Sequence, residues 1–282
     1  MKKILVPTDF SEYAMRASRV AAKIAKLTGA RIYFLHVVDM PVNEIGIIPG
    51  QTQQDIPEGL FILKRAKQNF KELFAQDFLE GVNIAEAVQF DGVYESIVNE
   101  AKKHAIDLIV MGTHGTSGYI NDFFVGSNAD KIVRLSETPV LVVKDDMADF
   151  NIQKIVFASD FDEGVDQSFE SLVPILDIFK AKLELVRIVT REDFYYSEPI
   201  LTVMEDFARR HGLKNYDCHI FIAKDVQTGI NEFASRKEAD MIATVTHGRR
   251  GLARLFNGSV TGELIKQSAS PVLSVRIPKR FS

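Results

Sequence analysis

Three segments from the first half of the chain return, in the same order, in its second half. KILVPTDF, which starts at Lys3, returns as KIVFASDF, and DLIVMGTHG, which starts at Asp107, returns as DMIATVTHG. TPVLVV, which starts at Thr138, returns as SPVLSV. Self-similarity on this scale indicates two repeats of one structural unit. We therefore expect two domains, at residues 1–147 and 148–282.

Within each repeat, short apolar runs alternate with amphipathic patterns. In the first repeat these patterns predict strands at residues 4–6, 31–38, 84–90, 108–111 and 140–143. They predict helices at residues 11–27, 60–79, 93–104 and 128–135. Apolar strands that alternate with helices are typical of a parallel sheet covered on both faces. The expected fold class is α/β, with two tandem doubly wound, Rossmann-like domains of five parallel strands each.

The second repeat follows the same course, with strands expected at residues 183–188 and 219–222. Pro174 falls inside its first helix pattern and predicts a kink or an early break. The first repeat is longer because of an insertion at residues 40–59, which is rich in Pro, Gly and Gln and typical of a surface loop.

The closing strands of the two repeats predict how the repeats join. VLVV after Pro139 and VLSV after Pro271 are too apolar to lie exposed at the edge of a sheet. We predict that they pair with each other antiparallel. The chain would then form an internal pseudo-dimer of its two domains.

The fourth strand of the first repeat leads into a glycine-rich loop. Gly112 and Gly115 open this loop, and Gly126 and Ser127 close it in front of the next helix pattern. Ser127 and Asp130 have the spacing of a capping box. Unpaired N–H groups and the positive end of the helix dipole favour phosphate at such a helix start. The sequence therefore predicts an anion site here.

Composition excludes several other classes of protein. The net charge is −4, and no block of Lys or Arg is longer than a pair, which argues against nucleic acid as a partner. No apolar stretch is long enough to span a membrane. Pro7 and Asp9 interrupt the N-terminus before a signal-peptide core could form, so we expect a cytoplasmic protein. Cys218 is the only cysteine, which leaves no internal disulfide or cysteine zinc cluster, and we expect it to be a small buried residue.

Taken together, four motifs resemble the universal stress protein family, in its tandem form. They are KKILVPTDFSE, LHVVD, VMGTHG with the later GS, and TPVLVVK. The resemblance implies an adenine-nucleotide site that binds ATP. It assigns to the adenine and ribose side Pro7, Thr8, Asp9 and Val37, with Met111 and Gly112 beneath. It assigns to the phosphates Gly115, Thr116, Ser117, Gly126, Ser127 and Asn128. Asp9 could instead cap the first helix, and the two roles can coexist.

Each repeat departs once from the family's loop, which has Gly, two residues, Gly, nine residues, Gly and then Ser or Thr. The first repeat has ten residues between Gly115 and Gly126, and an extra residue can bulge outward. The second has nine, but Val245 replaces the first glycine. We expect the valine to intrude into the site, so the second loop is predicted to be degenerate and the first to bind ATP.

The matching positions in the second repeat are Asp160, Gly248, Arg249, Gly258 and Ser259. Arg249 and Arg250 could attract an anion or could form a solvated basic turn. His114 and His247 recur in the loops without a metal-binding spacing, so we expect loop roles for both.

Three functional hypotheses remain open at the level of sequence. The first is a regulatory or stress-response protein that holds ATP without efficient turnover. No GxxxxGK[ST] motif occurs, so a P-loop lysine is missing. The second is a slow ATPase or another hydrolase that uses a metal and water at Asp9 or Asp130. The third is a ligand-free interaction module.

Mg²⁺ or Mn²⁺ is expected beside a bound triphosphate, because phosphate charge is costly near carboxylates. The family resemblance also implies association into a homodimer, although the internal duplication can already satisfy that edge.

Overall fold

The computed structural model describes residues 1–38, 57–113, 127–145, 150–162, 164–190, 199–246 and 260–276. The first repeat contains β1 (Lys3–Pro7), α1 (Glu12–Thr28), β2 (Arg31–Val38), α2 (Pro57–Phe74), a 3-10 helix (Asp77–Leu79), β3 (Ile84–Phe90), α3 (Val93–His104), β4 (Leu108–Gly112), α4 (Ser127–Leu135) and β5 (Val140–Val143). The second contains β6 (Lys154–Ala158), α5 (Val165–Phe179), β7 (Lys182–Val189), α6 (Ile200–Arg210), β8 (Tyr216–Ile222), α7 (Val226–Arg236), β9 (Met241–Thr246), α8 (Val260–Gln267) and β10 (Val272–Arg276).

The strands form one ten-stranded sheet in the order β3-β2-β1-β4-β5-β10-β9-β6-β7-β8. Neighbouring strands within each repeat are parallel. The two repeats meet where β10 pairs with β5 antiparallel, with Leu273 opposite Leu141 and Val272 opposite Val142. This is the pairing that the apolar closing strands predict. It leaves β3 and β8 at the two ends of the sheet.

Side chains on the strands alternate between two apolar layers. On β4, Leu108 and Val110 enter the layer shared with α1, α2, α5 and α6. Ile109 and Met111 enter the opposite layer, shared with α3, α4, α7 and α8. Helices therefore cover both faces of the sheet, as the doubly wound prediction requires. None of the helices in the described part of the chain is long and apolar enough to cross a membrane.

The repeated Lys and Asp residues lie at the amino ends of the strands, where they hold the chain together. Asp107 Oδ2 accepts the backbone N–H groups of Lys2 and Lys3, and Lys3 Nζ donates to the carbonyl of His104 at the end of α3. In the second repeat Asp240 accepts from the backbone of Lys154 in the same way. These recurring residues are structural.

The junction between the repeats contains a reciprocal pair of helix-terminal contacts. Lys144, after β5, donates to the carbonyl of Lys266 in the last turn of α8 at 3.4 Å. Arg276, at the end of β10, donates to the carbonyl of Leu135 at the end of α4 at 3.2 Å. Each cation therefore meets unpaired carbonyls at the negative end of the other repeat's last helix.

Two helices differ from the sequence expectation. The pattern predicts one helix over residues 60–79, whereas α2 ends at Phe74 and a separate 3-10 turn follows. Helix α5 continues through Pro174 to Phe179, so of the kink or early break that the proline predicts, the break does not occur. Pro174 and Glu170 are both exposed. The Glu170 carbonyl, which loses its partner to the proline, can therefore be hydrated, and the helix tolerates the residue.

Candidate functional site

The direction of strand addition reverses between β1 and β4. From β1 the chain adds β2 and β3 on one side, whereas β4 and β5 lie on the other side. The register places Leu5 beside Ile109 and Pro7 beside Leu35, so the carboxyl ends of β2, β1 and β4 are neighbours. Open parallel sheets bind ligands at the carboxyl ends of strands beside such a switch point. The second repeat has its own switch point between β6 and β9.

Six of the predicted site residues come together at this edge in the described part of the chain. Pro7, Val37 and Gly112 are half-buried at the ends of three neighbouring strands, and Met111 is buried. Val37 and Met111 belong to the apolar layer beneath α3 and α4. The remaining two of the six, Thr8 and Asp9, lie in the turn that follows β1. The strand ends therefore present an apolar surface next to polar groups, the combination that small-molecule sites require.

The turn after β1 is held by short-range hydrogen bonds. Thr8 Oγ1 accepts the N–H of Phe10 at 3.0 Å, and Asp9 Oδ1 accepts the N–H of Ser11 at 3.0 Å. Ser11 Oγ in turn accepts the N–H of Ala14 at 3.2 Å. Ser11 is therefore the N-cap of α1. Asp9 supports the capping turn from two residues before it and does not cap the helix itself.

Phe10 fixes this turn in a conformation that is uncommon for a bulky residue. Its φ is 63°, a left-handed value that needs support from surrounding contacts. The ring lies 4.8 Å from the His36 ring and 5.0 Å from the Phe70 ring. His36 Nδ1 donates to the Thr8 carbonyl at 2.8 Å, so that nitrogen carries the proton. Sequence reasoning missed Phe10 and His36, although both lie within the quoted motifs.

Gly112 has a packing role besides its place in the loop. A β-carbon at this position would lie 2.8 Å from the carbonyl carbon and oxygen of Tyr13, closer than side chains tolerate. The glycine therefore lets the first turn of α1 approach the end of β4.

The predicted phosphate side is only partly described. Helix α4 begins at Ser127, and Asn128 is exposed in its first turn. Asp130 forms an ion pair with Arg134 at 3.0 Å, so this carboxylate is already compensated. The capping role of Ser127 stays a prediction. Outside the described residues lie Gly115, Thr116, Ser117, Gly126 and His114.

The second repeat has a different set of contacts at the equivalent strand ends. Arg187 takes the place of His36 and donates to the Asp160 carbonyl at 2.6 Å. Val245, in the place of Gly112, is buried in the layer that contains α5. The valine therefore points into the core. Its side chain does not intrude into a ligand site, which was the reason given for a degenerate second loop, and the degenerate loop itself stays a prediction. Outside the described residues lie Gly248, Arg249, Arg250, Gly258, Ser259 and His247.

A second group of titratable side chains lies on β7 and β8, toward the amino ends of these strands. Ligand atoms of Glu184, Asp217 and His219 lie within 4.8 Å of one another. However, Lys182 and Lys237 each contact a different oxygen of the buried Glu184 carboxylate at 3.1 Å. A dication would have to displace both ammonium groups, so we interpret this group as a charge-compensated structural cluster.

Glu184 is expected to make stability depend on pH in acid. Burial raises its pKa, but hydrogen bonds from Lys182, Lys237 and His219 outweigh burial and leave the pKa below the ordinary range. Its contribution is then full above the unfolded-state pKa, about 4.3, and is lost as the pH falls through the lower folded-state pKa.

Urea midpoints measured across acidic pH should fall less steeply for Glu184→Gln than for the wild type. Glu170→Gln, which changes an exposed glutamate on α5, is the matched control and should retain the wild-type slope. Equal slopes for wild type and Glu184→Gln would show that the cluster does not stabilise the fold through this carboxylate.

The fold and the site together define a class. Each repeat is a doubly wound α/β domain with a polar turn and a helix start beside its switch point, which is typical of ligand-binding proteins. The chain belongs to the universal stress protein family, whose sequence profile matches residues 1–144 and again residues 151–276.

Three relatives show how far the similarity extends. The chain is 34% identical to universal stress protein MJ0531 of Methanocaldococcus jannaschii over 152 residues, covering 51% of this chain and 82% of that protein. It is 22% identical to universal stress protein Slr1230 of Synechocystis over 292 residues, covering 98% and 100%. A universal stress protein structure from Archaeoglobus fulgidus matches with a TM-score of 0.68 and 19% identity, covering 98% and 97%. The tandem arrangement is therefore shared across whole chains.

Proposed function

We propose that the first domain, residues 1–147, binds ATP and that the protein is a regulatory or stress-response factor without efficient turnover. The convergence of Pro7, Val37 and Met111 with the Thr8–Asp9 turn at the switch point carries this proposal. An apolar surface next to fixed polar groups suits a base and a ribose. The start of α4 at Ser127 suits phosphates, because its N–H groups and dipole favour anions.

The residues that the structure describes fit an adenine nucleotide. Pro7 and Val37 are half-buried, so they leave apolar surface accessible at the strand ends. Thr8 and Asp9 are held in place by the turn hydrogen bonds, which lowers the entropic cost of binding. When bound, Mg²⁺ or Mn²⁺ would supply charge neutralisation for the triphosphate.

We also propose that the second domain, residues 148–282, does not bind ATP. Arg187 lies at the position of His36, and it donates to the Asp160 carbonyl and lies 3.9 Å from the Asp162 carboxylate. Val245 extends the core in place of a loop glycine. The strand ends of the two domains therefore offer different surfaces to a ligand.

Calorimetric titration of the full chain with ATP and Mg²⁺ tests the assignment. We expect one site per chain. Gly126→Val should weaken binding by at least about a hundredfold, or about 2.7 kcal/mol, because the family resemblance assigns this glycine to the phosphates and a β-branched side chain adds bulk at that position. The matched control is Gly258→Val, the same change in the second repeat, which should leave ATP affinity unchanged.

Each opposite result has a definite meaning. No heat from the wild type would contradict nucleotide binding and favour the interaction module. Loss of binding in Gly258→Val alone would place the site in the second domain. The nucleotide recovered after incubation should still be ATP. Conversion to ADP at a rate proportional to the protein concentration would favour the slow ATPase.

A further inference from the structure

Strand β8 ends the sheet on the side of the second repeat. It pairs with β7 from Leu183–Tyr216 to Val189–Ile222. Among the described residues, no strand pairs with its other edge. An uncovered edge presents a row of backbone donors and acceptors that can pair with another strand.

The carboxyl-terminal half of β8 also exposes apolar side chains. Ile220 is 43% exposed and Ile222 is 62% exposed, and Leu201 on the neighbouring helix α6 is 45% exposed. Beside them lies an open groove of about 630 Å³, whose lining includes Leu201, Tyr216 and Cys218. Exposed apolar surface along a strand edge is typical of an interaction site.

The opposite end of the sheet is protected differently. Helix α2, which precedes β3, also exposes Leu60 and Phe61, but β3 itself has one exposed residue whereas β8 has three. No large exposed hydrophobic residue is found on β3, which is described in full. The side chains of β8 are therefore more exposed to solvent than those of β3.

We propose that β8 pairs antiparallel with β8 of a second molecule of this chain, about a two-fold axis near His219. In this register Ile220 lies opposite Cys218 of the second molecule, and Ile222 lies opposite Tyr216 of the second molecule. The exposed isoleucines thus meet apolar or aromatic partners, and such cross-strand pairs stabilise a sheet.

The charges on β8 are compatible with self-pairing. Asp217 is the only acidic residue on the strand, and it lies opposite Phe221 of the second molecule rather than opposite another carboxylate. Its charge is already compensated by Lys182 at 2.6 Å. No pair of acidic groups therefore faces across the proposed ladder. His219 lies opposite His219 of the second molecule, and each ring bonds the Glu184 carboxylate of its own chain.

Strand β8 of a second molecule is a better partner for this edge than strand β3 of a second molecule. Pairing of β8 with β3 of a second molecule would be head-to-tail and would leave free edges for open-ended growth, whereas β8 with β8 closes after two chains. The chain already joins its own repeats through antiparallel terminal strands, with Leu273 opposite Leu141. The proposed contact would use the same kind of antiparallel strand pairing between two molecules.

Sedimentation equilibrium of the full chain over a wide concentration range tests the proposal. The wild type should approach twice the 31.6 kDa chain mass. Ile220→Lys combined with Ile222→Lys should stay monomeric, because two ammonium groups would have to be desolvated in the ladder. The matched control is Leu27→Lys, at a residue 65% exposed on α1, which should dimerise like the wild type.

A cross-link then tests the register. Oxidised Ile220→Cys should form a covalent dimer through Cys218, because directly opposed strand residues are within disulfide reach. Burial, with Glu205 and Asp217 nearby, raises the pKa of the Cys218 thiol, so the reaction belongs at alkaline pH. Adding Cys218→Ser should abolish the cross-link. A monomer at all concentrations, or a dimer that the lysine pair leaves intact, would overturn the proposal.

Discussion

Replacing Gly112 by valine is expected to lower the free energy of unfolding by about 2–3 kcal/mol. The new β-carbon would lie 2.8 Å from the Tyr13 carbonyl group and 2.9 Å from the Tyr13 β-carbon. Because the obstacle is mostly backbone at the start of α1, it cannot rotate away as a side-chain tip could. Urea unfolding of the full chain measures the effect.

The second repeat provides the matched comparison for this change. Gly164 occupies the position of Tyr13 there, and Val245 occupies the position of Gly112. At these two equivalent positions each repeat thus has one glycine and one larger residue, with the order reversed. Val245→Ala should therefore also destabilise the protein, by about 1.5 kcal/mol for the buried methyl groups removed. If Gly112→Val left stability unchanged and removed only ATP binding, the glycine would serve the ligand alone.

Replacing Phe207 by alanine is expected to lower the free energy of unfolding by about 3–5 kcal/mol. The side chain is completely buried. Its ring lies 4.9 Å from that of Phe169, 5.2 Å from that of Phe161 and 5.9 Å from that of Phe157. Removing it leaves a cavity among rigid rings that cannot close around the gap. Chemical denaturation followed by far-UV circular dichroism measures the loss.

Phe61→Ala is the control for the aromatic substitution. Phe61 is 65% exposed on α2, so its removal should change stability by less than about 0.5 kcal/mol. Similar losses for the two variants would contradict the aromatic cluster as a centre of stability. Phe161 in this cluster has a left-handed φ of 59°, as Phe10 does in the first repeat. The cluster therefore also supports the turn after β6.

Much of the fold could be predicted because it depends on local periodicity. The expected elements at residues 31–38, 84–90, 93–104 and 140–143 agree with the observed bounds of β2, β3, α3 and β5. The helix expected at residues 11–27 is observed as α1, whose C-cap Gly29 has a φ of 70°. Apolar alternation and glycine conformation act within a few residues, so a single sequence carries them.

The sequence predictions fail where solvent exposure, or packing against distant parts of the chain, decides the local structure. Pro174 carries the local signal of a helix break, but its exposure in α5 makes the lost hydrogen bond tolerable. Cys218 was expected to be buried, yet it lies half-buried beside the uncovered edge of β8. Neither outcome could be read from neighbouring residues, because both depend on which helix covers which face.

The sequence by itself determined that the chain is a tandem α/β protein and that its closing strands pair, and the family resemblance indicated which strand ends to expect at the candidate site. Repeats, apolar runs and glycines encode these features locally. Only the tertiary structure decided what Val245, Phe10 and Gly112 do. The direction of a side chain at a strand end, and the space that it meets, are set by helices that are distant in sequence. Packing against α1 and α5 is the physical reason that the same strand ends carry glycine in one repeat and valine in the other.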